Sequence, residues 1–336
     1  MKDSVLSGLG ARILDQDADL AFGFEAGAAP GAFVVLGFEG WEELFEGFEV
    51  AVDLISHSDD LDLHALLDTE ACLGLYHKYD QPRFLHGVIA QIEKRGSGFS
   101  RTRYRAVLRP ALHRLTYHSD ARIFQEMDVH AITDTILGEH GITNVAWQLE
   151  GPHTPREYCV QYGETSFDFL RRLWAEEGIF FWFEHTAGGH KLMLSDAPAA
   201  APTLAAAPTL PYNAMPGGMG KGFWVGRFDQ TERLRATARV SRDYSFKHPD
   251  YTQHHAVTQA HPNGATGRYE LYHYPGRHKM PDVGQPFNDH ALEAHRVDAT
   301  TGAGQTNAIQ LSAGFTFTLR DHPDAAANTS HRLLSV

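Results

Sequence analysis

Thr165-Ser166-Phe167-Asp168-Phe169-Leu170-Arg171-Arg172-Leu173-Trp174-Ala175-Glu176-Glu177-Gly178-Ile179-Phe180-Phe181-Trp182-Phe183-Glu184-His185 carries two structural periods in succession. Thr165 opens a capping box with Asp168 in the usual Glu position, Phe167, Leu170 and Trp174 share a helical face, and Gly178 stands where a helix stops. From Ile179 the pattern becomes a β-branched and aromatic run, then Thr186-Ala187-Gly188-Gly189, then the second run His190-Lys191-Leu192-Met193-Leu194. The spacing predicts a helix over 165–178, packed through Phe167, Leu170 and Trp174, followed by a two-stranded hairpin. The middle of the chain therefore reads as α+β.

Upstream, Val129, Ile132, Ile136 and Leu137 recur at helical spacing behind Asp128, a good N-cap, and ahead of Gly141, which predicts a helix over about 129–140. Earlier still, short apolar or alternating runs at 32–38, 45–55, 72–78, 84–93 and 101–108 are separated by Gly, Asp or Pro clusters and predict antiparallel β-structure. The polar connection Arg95-Gly96-Ser97-Gly98-Phe99-Ser100 suits a hairpin with a long loop, and a short helix is expected at 61–68. Downstream, 197–222 is rich in Pro, Ala and Gly and reads as a linker or long surface excursion. Strands are expected again at 223–228, 235–241, 309–312 and 315–320, with a helix at about 288–299.

A length of 336 residues suits about two domains of ordinary size. With 43% hydrophobic and 21% charged residues the chain has the composition of a folded protein. Its 29 Lys and Arg against 42 Asp and Glu leave a formal charge of -13, which disfavours nucleic-acid partners because phosphates would be repelled on average. No run approaches the length of a membrane span, and Met1-Lys2-Asp3-Ser4 lacks the basic start and apolar run of a cleaved signal, so conventional secretion is not expected. Cys72 and Cys159 have no CxxC partners and read as buried free thiols. The 21 histidines have a reference pKa of about 6.5, so acid should perturb the protein.

Motifs for chemistry are sparse. His290-Ala291-Leu292-Glu293-Ala294-His295 has the wrong offsets for HExxH and its inverse. His254-His255 with His261, and His185 with His190, could each supply two metal ligands but name no third, and scattered surface and capping histidines are the plainer reading. There is no GxSxG elbow and no phosphate-binding GxxxxGK[ST], and Gly302-Ala303-Gly304 follows a helix-like stretch rather than a strand. The acidic pairs Glu42-Glu43, Asp59-Asp60 and Glu176-Glu177 are expected to be solvated. No catalytic, cofactor-binding or metal-ligating residue is assigned, and the chain is not read as an enzyme.

A resemblance sharpens this reading. Arg122-Ile123-Phe124-Gln125, Arg156-Glu157-Tyr158-Cys159-Val160-Gln161-Tyr162-Gly163-Glu164-Thr165-Ser166-Phe167-Asp168-Phe169-Leu170, Arg172-Leu173 and Glu176-Glu177-Gly178-Ile179-Phe180 strongly resemble the VgrG family, the spike proteins of bacterial type VI secretion. Further matches fall at Phe84-Leu85-His86-Gly87-Val88, 104–110, 242–249 and Tyr274-Pro275-Gly276-Arg277. The run Leu311–Leu319 with His322-Pro323 and Asn328 follows in family order, and the resemblance is loose over residues 1–60.

The resemblance implies a mainly β fold with α+β insertions: two antiparallel β-barrel tube domains as in contractile phage tail hubs. On that expectation residues 1–120 form the first barrel, 121–200 the α+β insertion, and 201–336 the Pro/Gly-rich linker and second barrel. It implies a homotrimer whose six barrels cap a hexameric tube protein, with baseplate components and effectors or adaptors as further partners, and no cofactor. It also implies assembly in the cytoplasm of a Gram-negative bacterium and export, without a signal peptide, into the extracellular space or a target cell. Family members continue into an OB-fold and a β-helix needle, both absent from this sequence. The rival readings are the hub of a prophage tail or other contractile injection device and, more distantly, a His-dependent metallohydrolase, which stoichiometric metal surviving dialysis would favour.

Overall fold

Alternation in the first third builds one curled sheet. In β6 (Thr102–Arg109), Thr102, Tyr104, Ala106 and Leu108 point into the core while their neighbours point away, the two-residue period of a half-buried strand. The other members are β1 (Leu20–Ala26), β2 (Val34–Glu43), β3 (Gly47–Ser56), β4 (Glu70–His77) and β5 (Arg83–Ser97), in the order β1-β4-β5-β6-β3-β2 with every pairing antiparallel. The sheet curls until its end strands meet through the edge-on Phe22–Phe38 ring contact at 5.5 Å. The computed structural model describes residues 20–77, 81–98, 100–215, 222–260, 269–278 and 281–336. Met1–Ser4, Lys78, part of the 197–222 excursion and His261 lie outside these residues.

The expected helix at 61–68 is a single turn, α1 (Leu63–Leu66), capped by the Asp62 carboxylate. β1 lies outside the runs that the sequence marks as strand, and β5 continues through Arg95-Gly96-Ser97, which reads as loop from sequence.

The α+β middle follows as α2 (Val129–Glu139) and α3 (Ser166–Glu176), with β7 (Ser119–Phe124), β8 (Val145–Gln148), β9 (Cys159–Thr165), β10 (Phe180–Thr186) and β11 (Gly189–Ser195). Asp128 Oδ1 accepts the Ala131 amide at 2.8 Å and Thr165 Oγ1 accepts the Asp168 amide at 3.0 Å, so both expected N-caps are made. β10 and β11 form the expected hairpin, with β8 added in parallel to β11. The buried face of α3 is Ser166, Phe169, Leu170, Leu173 and Trp174, a strict i, i+3, i+4, i+7, i+8 set. Phe167, close to Trp174 on the helix wheel, flanks that face and packs partly buried against the core, with the Arg171 guanidinium over its ring. Trp174 is buried as expected, its ring 5.3 Å from Phe181 and its Nε1–H donating to Thr133 Oγ1 at 3.0 Å. One apolar core runs from Phe24 and Val52 in the barrel through Leu112 and Leu115 to Ile132, Leu173 and Trp174.

The second half distributes its strands over three small sheets. The first joins β12 (Thr209–Pro211) to β18 (Thr316–Arg320) and β19 (Ser330–Arg332), and the second pairs β13 (Val225–Glu232) with β17 (Thr300–Thr306). In the third, β14 (Ala238–Arg242) lies between β15 (His254–Thr258) and β16 (Glu270–His273). A second core of Leu204, Leu210, Val225, Leu311, Phe317 and Leu319 underlies the first two.

Two expectations, the bounds of the late helix and the strand at 309–312, are corrected by the structure. The helix expected at 288–299 is α4 (Pro281–Ala294), because buried Asn288 is held by its side chain to the Arg239 and His255 carbonyls, while residues after Ala294 turn to bring Thr300 opposite Glu232. Gly302-Ala303-Gly304 follows α4, as expected, and itself lies in β17, where a side chain at Gly302 would meet the Phe228 ring. Ile309–Ser312 forms no strand, because its polar groups are spent on the buried pair described next.

Candidate assembly site

Glu42 ends β2 beneath the second half of the chain and is only 6% exposed. Its carboxylate takes an ion pair from Arg83 on β5, the Ser312 hydroxyl at 2.6 Å and the Ala313 amide at 3.3 Å. Arg83 also donates to the Ile309 carbonyl at 2.7 Å. Burial alone would raise the Glu42 pKa, but Arg83, His185, Ser312 and Ala313 together hold it below the usual carboxylate range. Beside this pin, the Glu42 and Leu44 amides donate to the Val336 and Leu334 carbonyls, and the Val336 amide returns to Glu42. The segment around 334–336 thus adds to the β2 edge, while Leu44, Phe180, Trp182 and Met193 pack with Phe315 and Leu334 in a third core. The arrangement ties barrel, hairpin and second half together.

A second polar knot braces α3. Arg156 spans Glu176 at 2.6 Å and Glu177 at 2.7 Å, while His153 contacts Glu177 through Nδ1 at 3.0 Å and Asp196 through Nε2 at 3.2 Å. With a carboxylate at each ring nitrogen, the imidazolium is favoured: hydrogen bonding to Glu177 leads the causes that raise the His153 pKa above 6.5. A raised pKa gives stabilisation that is full below about pH 6.5 and lost as pH climbs through the folded value. The denaturation midpoint of His153→Gln is accordingly expected to fall further below the parent's at pH 6 than at pH 9, measured by thermal unfolding at both.

The acidic pairs therefore divide. Asp59 and Asp60 are exposed as expected. Glu42 and Glu177 are buried, against the expectation of solvation, because each finds cationic and hydrogen-bonding partners that adjacency in sequence does not reveal. Cys72 and Cys159 are buried free thiols, and burial pushes Cys72 up to about 12. His185 and His190 face each other across the hairpin, buried or half-buried rather than scattered on the surface. His254 and His255 are neighbours on β15. Among the described residues no three His, Cys, Asp or Glu side chains converge as a metal-binding group.

Outward, the β7–β9 ribbon turns Phe124, Cys159 and Gln161 inward and leaves Ile123, Tyr158, Val160 and Tyr162 exposed, Tyr162 by 79%. β2 leaves Leu36, Phe38 and Trp41 partly exposed on the barrel wall. Such apolar strips on strands are surfaces that another subunit could cover.

The sequence signature of the phage tail baseplate hub (GPD) family matches residues 41–336. The chain belongs to that family. Among curated relatives, this hub chain is 34% identical over 318 residues to the type VI secretion system spike protein VgrG2a of Pseudomonas aeruginosa, covering 95% of the chain and 38% of that protein. It is 34% identical over 330 residues to the actin cross-linking toxin VgrG1 of Vibrio cholerae, covering 95% of the chain and 30% of that protein. The hub chain thus spans about a third of the length of these relatives. Its fold matches the E. coli c3393 protein, a type VI secretion component described as similar to the T4 tail proteins gp27 and gp5, with TM-score 0.67, 19% identity and coverage of 94% of this chain and 71% of that one. It also matches a tail protein of Neisseria meningitidis, with TM-score 0.64, 14% identity and coverage of 95% and 91%. The mainly β fold with a curled antiparallel sheet is that of phage tail hub proteins.

Proposed function

We propose that the chain is the structural hub of a type VI secretion spike. Three copies pack barrel to barrel, residues 1–120 and 201–336 each supplying one β unit and 121–200 the insertion, so that six β units present near six-fold symmetry to a hexameric tube. The hub caps the tube, meets the baseplate, passes on the force of sheath contraction and supports effector delivery. It is assembled in the bacterial cytoplasm and leaves with the tube, and its work is mechanical rather than catalytic. The observation that carries this reading is the 34% identity to spike proteins along 95% of the chain. The Glu42 pin and the segment at 334–336 hydrogen-bonded to the β2 edge suit it, since a part that bears axial load needs its units locked together.

A prophage tail hub is the second reading, favoured by the Neisseria tail protein, which matches this chain nearly end to end. Neighbouring genes for a sheath and a tube protein of one system or the other separate the two.

Charge gives the proposal a test. At -13 per chain, three copies repel one another, and salt screens that repulsion over a Debye length of about 8 Å at physiological strength. A concentration-dependent monomer–trimer equilibrium shifted toward trimer by salt is the expected result of light scattering across dilution. Attachment to the tube should weaken as salt rises, because an acidic hub needs a basic partner surface. A tight dimer, or a trimer that persists at nanomolar concentration, contradicts this account of the interface.

A further inference from the structure

Three histidines meet where the β10–β11 hairpin rests on the barrel, His86 from β5, His185 from β10 and His190 from β11. The His86 amide donates to His185 Nδ1 at 3.1 Å, and the Ala111 amide donates to His190 Nε2 at 3.0 Å. Both accepting nitrogens therefore carry lone pairs, and each ring is neutral with its proton on the other nitrogen. His190 then donates from Nδ1 to His86 Nδ1 across 3.1 Å, which leaves the His86 proton on Nε2. The His185 proton sits on Nε2, buried without a hydrogen-bond partner among the described residues. The Phe48 ring closes the cluster, 4.9 Å from His185 and 5.9 Å from His190.

In this geometry a second proton on any of the rings displaces a hydrogen bond that crosses from barrel to hairpin, or from hairpin to the turn after β6. On His185 it evicts the His86 amide, on His190 the Ala111 amide, and on His86 it faces the His190 donor. We propose that His86, His185 and His190 form an acid-released latch, closed while the rings are neutral and opened when protons enter, which lets the turn end of the β10–β11 hairpin, residues 185–190, lift from the first barrel while Phe181, Phe183, Leu192 and Leu194 stay in the core. An adjoining cavity of about 160 Å³, lined by His86, His190, Glu70, Arg114 and Asn144 among others, gives water a route to two of the rings.

The charged groups facing the cluster are few. Glu42 of β2 and Arg83 of β5 lie near His185 with opposing effects, Glu70 of β4 favours the charged form of His86, and Arg114 opposes that of His190. Burial dominates, pushing His185 down to about 4 and His190 to about 3 and lowering His86 as well. The closed form thus binds fewer protons than the open form below about pH 6.5, so closure weakens as pH falls from there toward 3, opposite in sign to His153. At pH 5 each of His185 and His190 held neutral shifts the balance toward the open form by about 30-fold.

Hydrogen exchange at the His86 and Ala111 amides, corrected for the intrinsic pH dependence of exchange, tests the latch on the chain alone and so stands apart from the hub reading. Protection of both amides is expected to drop at least about tenfold between pH 7 and pH 5, while Val52 and Ala106 in the β3–β6 ladder keep theirs, and His185→Gln/His190→Gln is expected to lose that pH response. Should the double variant not fold, the imidazole resonances of the unaltered protein decide: titration only as hairpin amides open supports the latch. Rings that titrate near 6.5 with protection intact, protection that ignores pH, or simultaneous loss of the whole barrel overturns it.

Discussion

Trp174→Ala is expected to destabilise the protein by about 3–5 kcal/mol, the range for large aromatic truncations in a core. The indole is only 1% exposed, edge-on to Phe181, and surrounded by the core that runs from the barrel into α2 and α3. Truncation removes that contact area, leaves a cavity that rigid strands cannot collapse around, and strands the Thr133 hydroxyl at the bottom of it. Chemical denaturation of Trp174→Ala and Trp174→Phe separates the terms: Phe restores most of the volume but not the hydrogen bond, so it should fall between parent and Ala. A loss under about 1 kcal/mol for Ala would show that α3 is not packed through this face.

The second large effect belongs to Glu42. Removing one partner of a buried ion pair leaves the other charge uncompensated, which costs about 3–5 kcal/mol, whereas replacing both with apolar residues of similar volume is often near neutral. Glu42→Ala is therefore expected to be severe, because Arg83 is left with only the Ile309 carbonyl while Ser312 and Ala313 lose their acceptor. Glu42→Met/Arg83→Met should recover a large part of that loss. The single variant should also expose residues 309–313 to protease before the barrel strands yield, since these groups hold that segment to the barrel. Equal stability of Glu42→Ala and the parent in denaturant contradicts the pin.

What the sequence shows of this molecule is mostly local. Two capped helices, the 179–194 hairpin and the alternation of β6 are legible because each depends on neighbours within a few residues, where period and cap chemistry act directly. The pin is not legible, for Glu42 meets Arg83 41 positions away and Ser312 270 positions away. His185 and His190 are visible as a pair, but the partner that turns them into a cluster, His86, lies 99 residues from His185. β17 is not legible because Thr300-Thr301-Gly302-Ala303-Gly304-Gln305-Thr306 offers no apolar alternation, and Gly302 lies against the Phe228 ring. Mid-helix Asn288 anchors α4 by reaching carbonyls of Arg239 on β14 and His255 on β15, contacts that no helical period records.

The proposed function requires a trimer of this chain that closes a six-fold tube, and electron microscopy of the protein mixed with assembled tube at low salt tests that most directly. The prediction is a cap at tube ends alone, with three hub chains for each terminal ring of six tube subunits, dissociating as salt is raised. Binding along the tube wall, or ends left bare by a hub that stays monomeric or dimeric at every concentration, would contradict it.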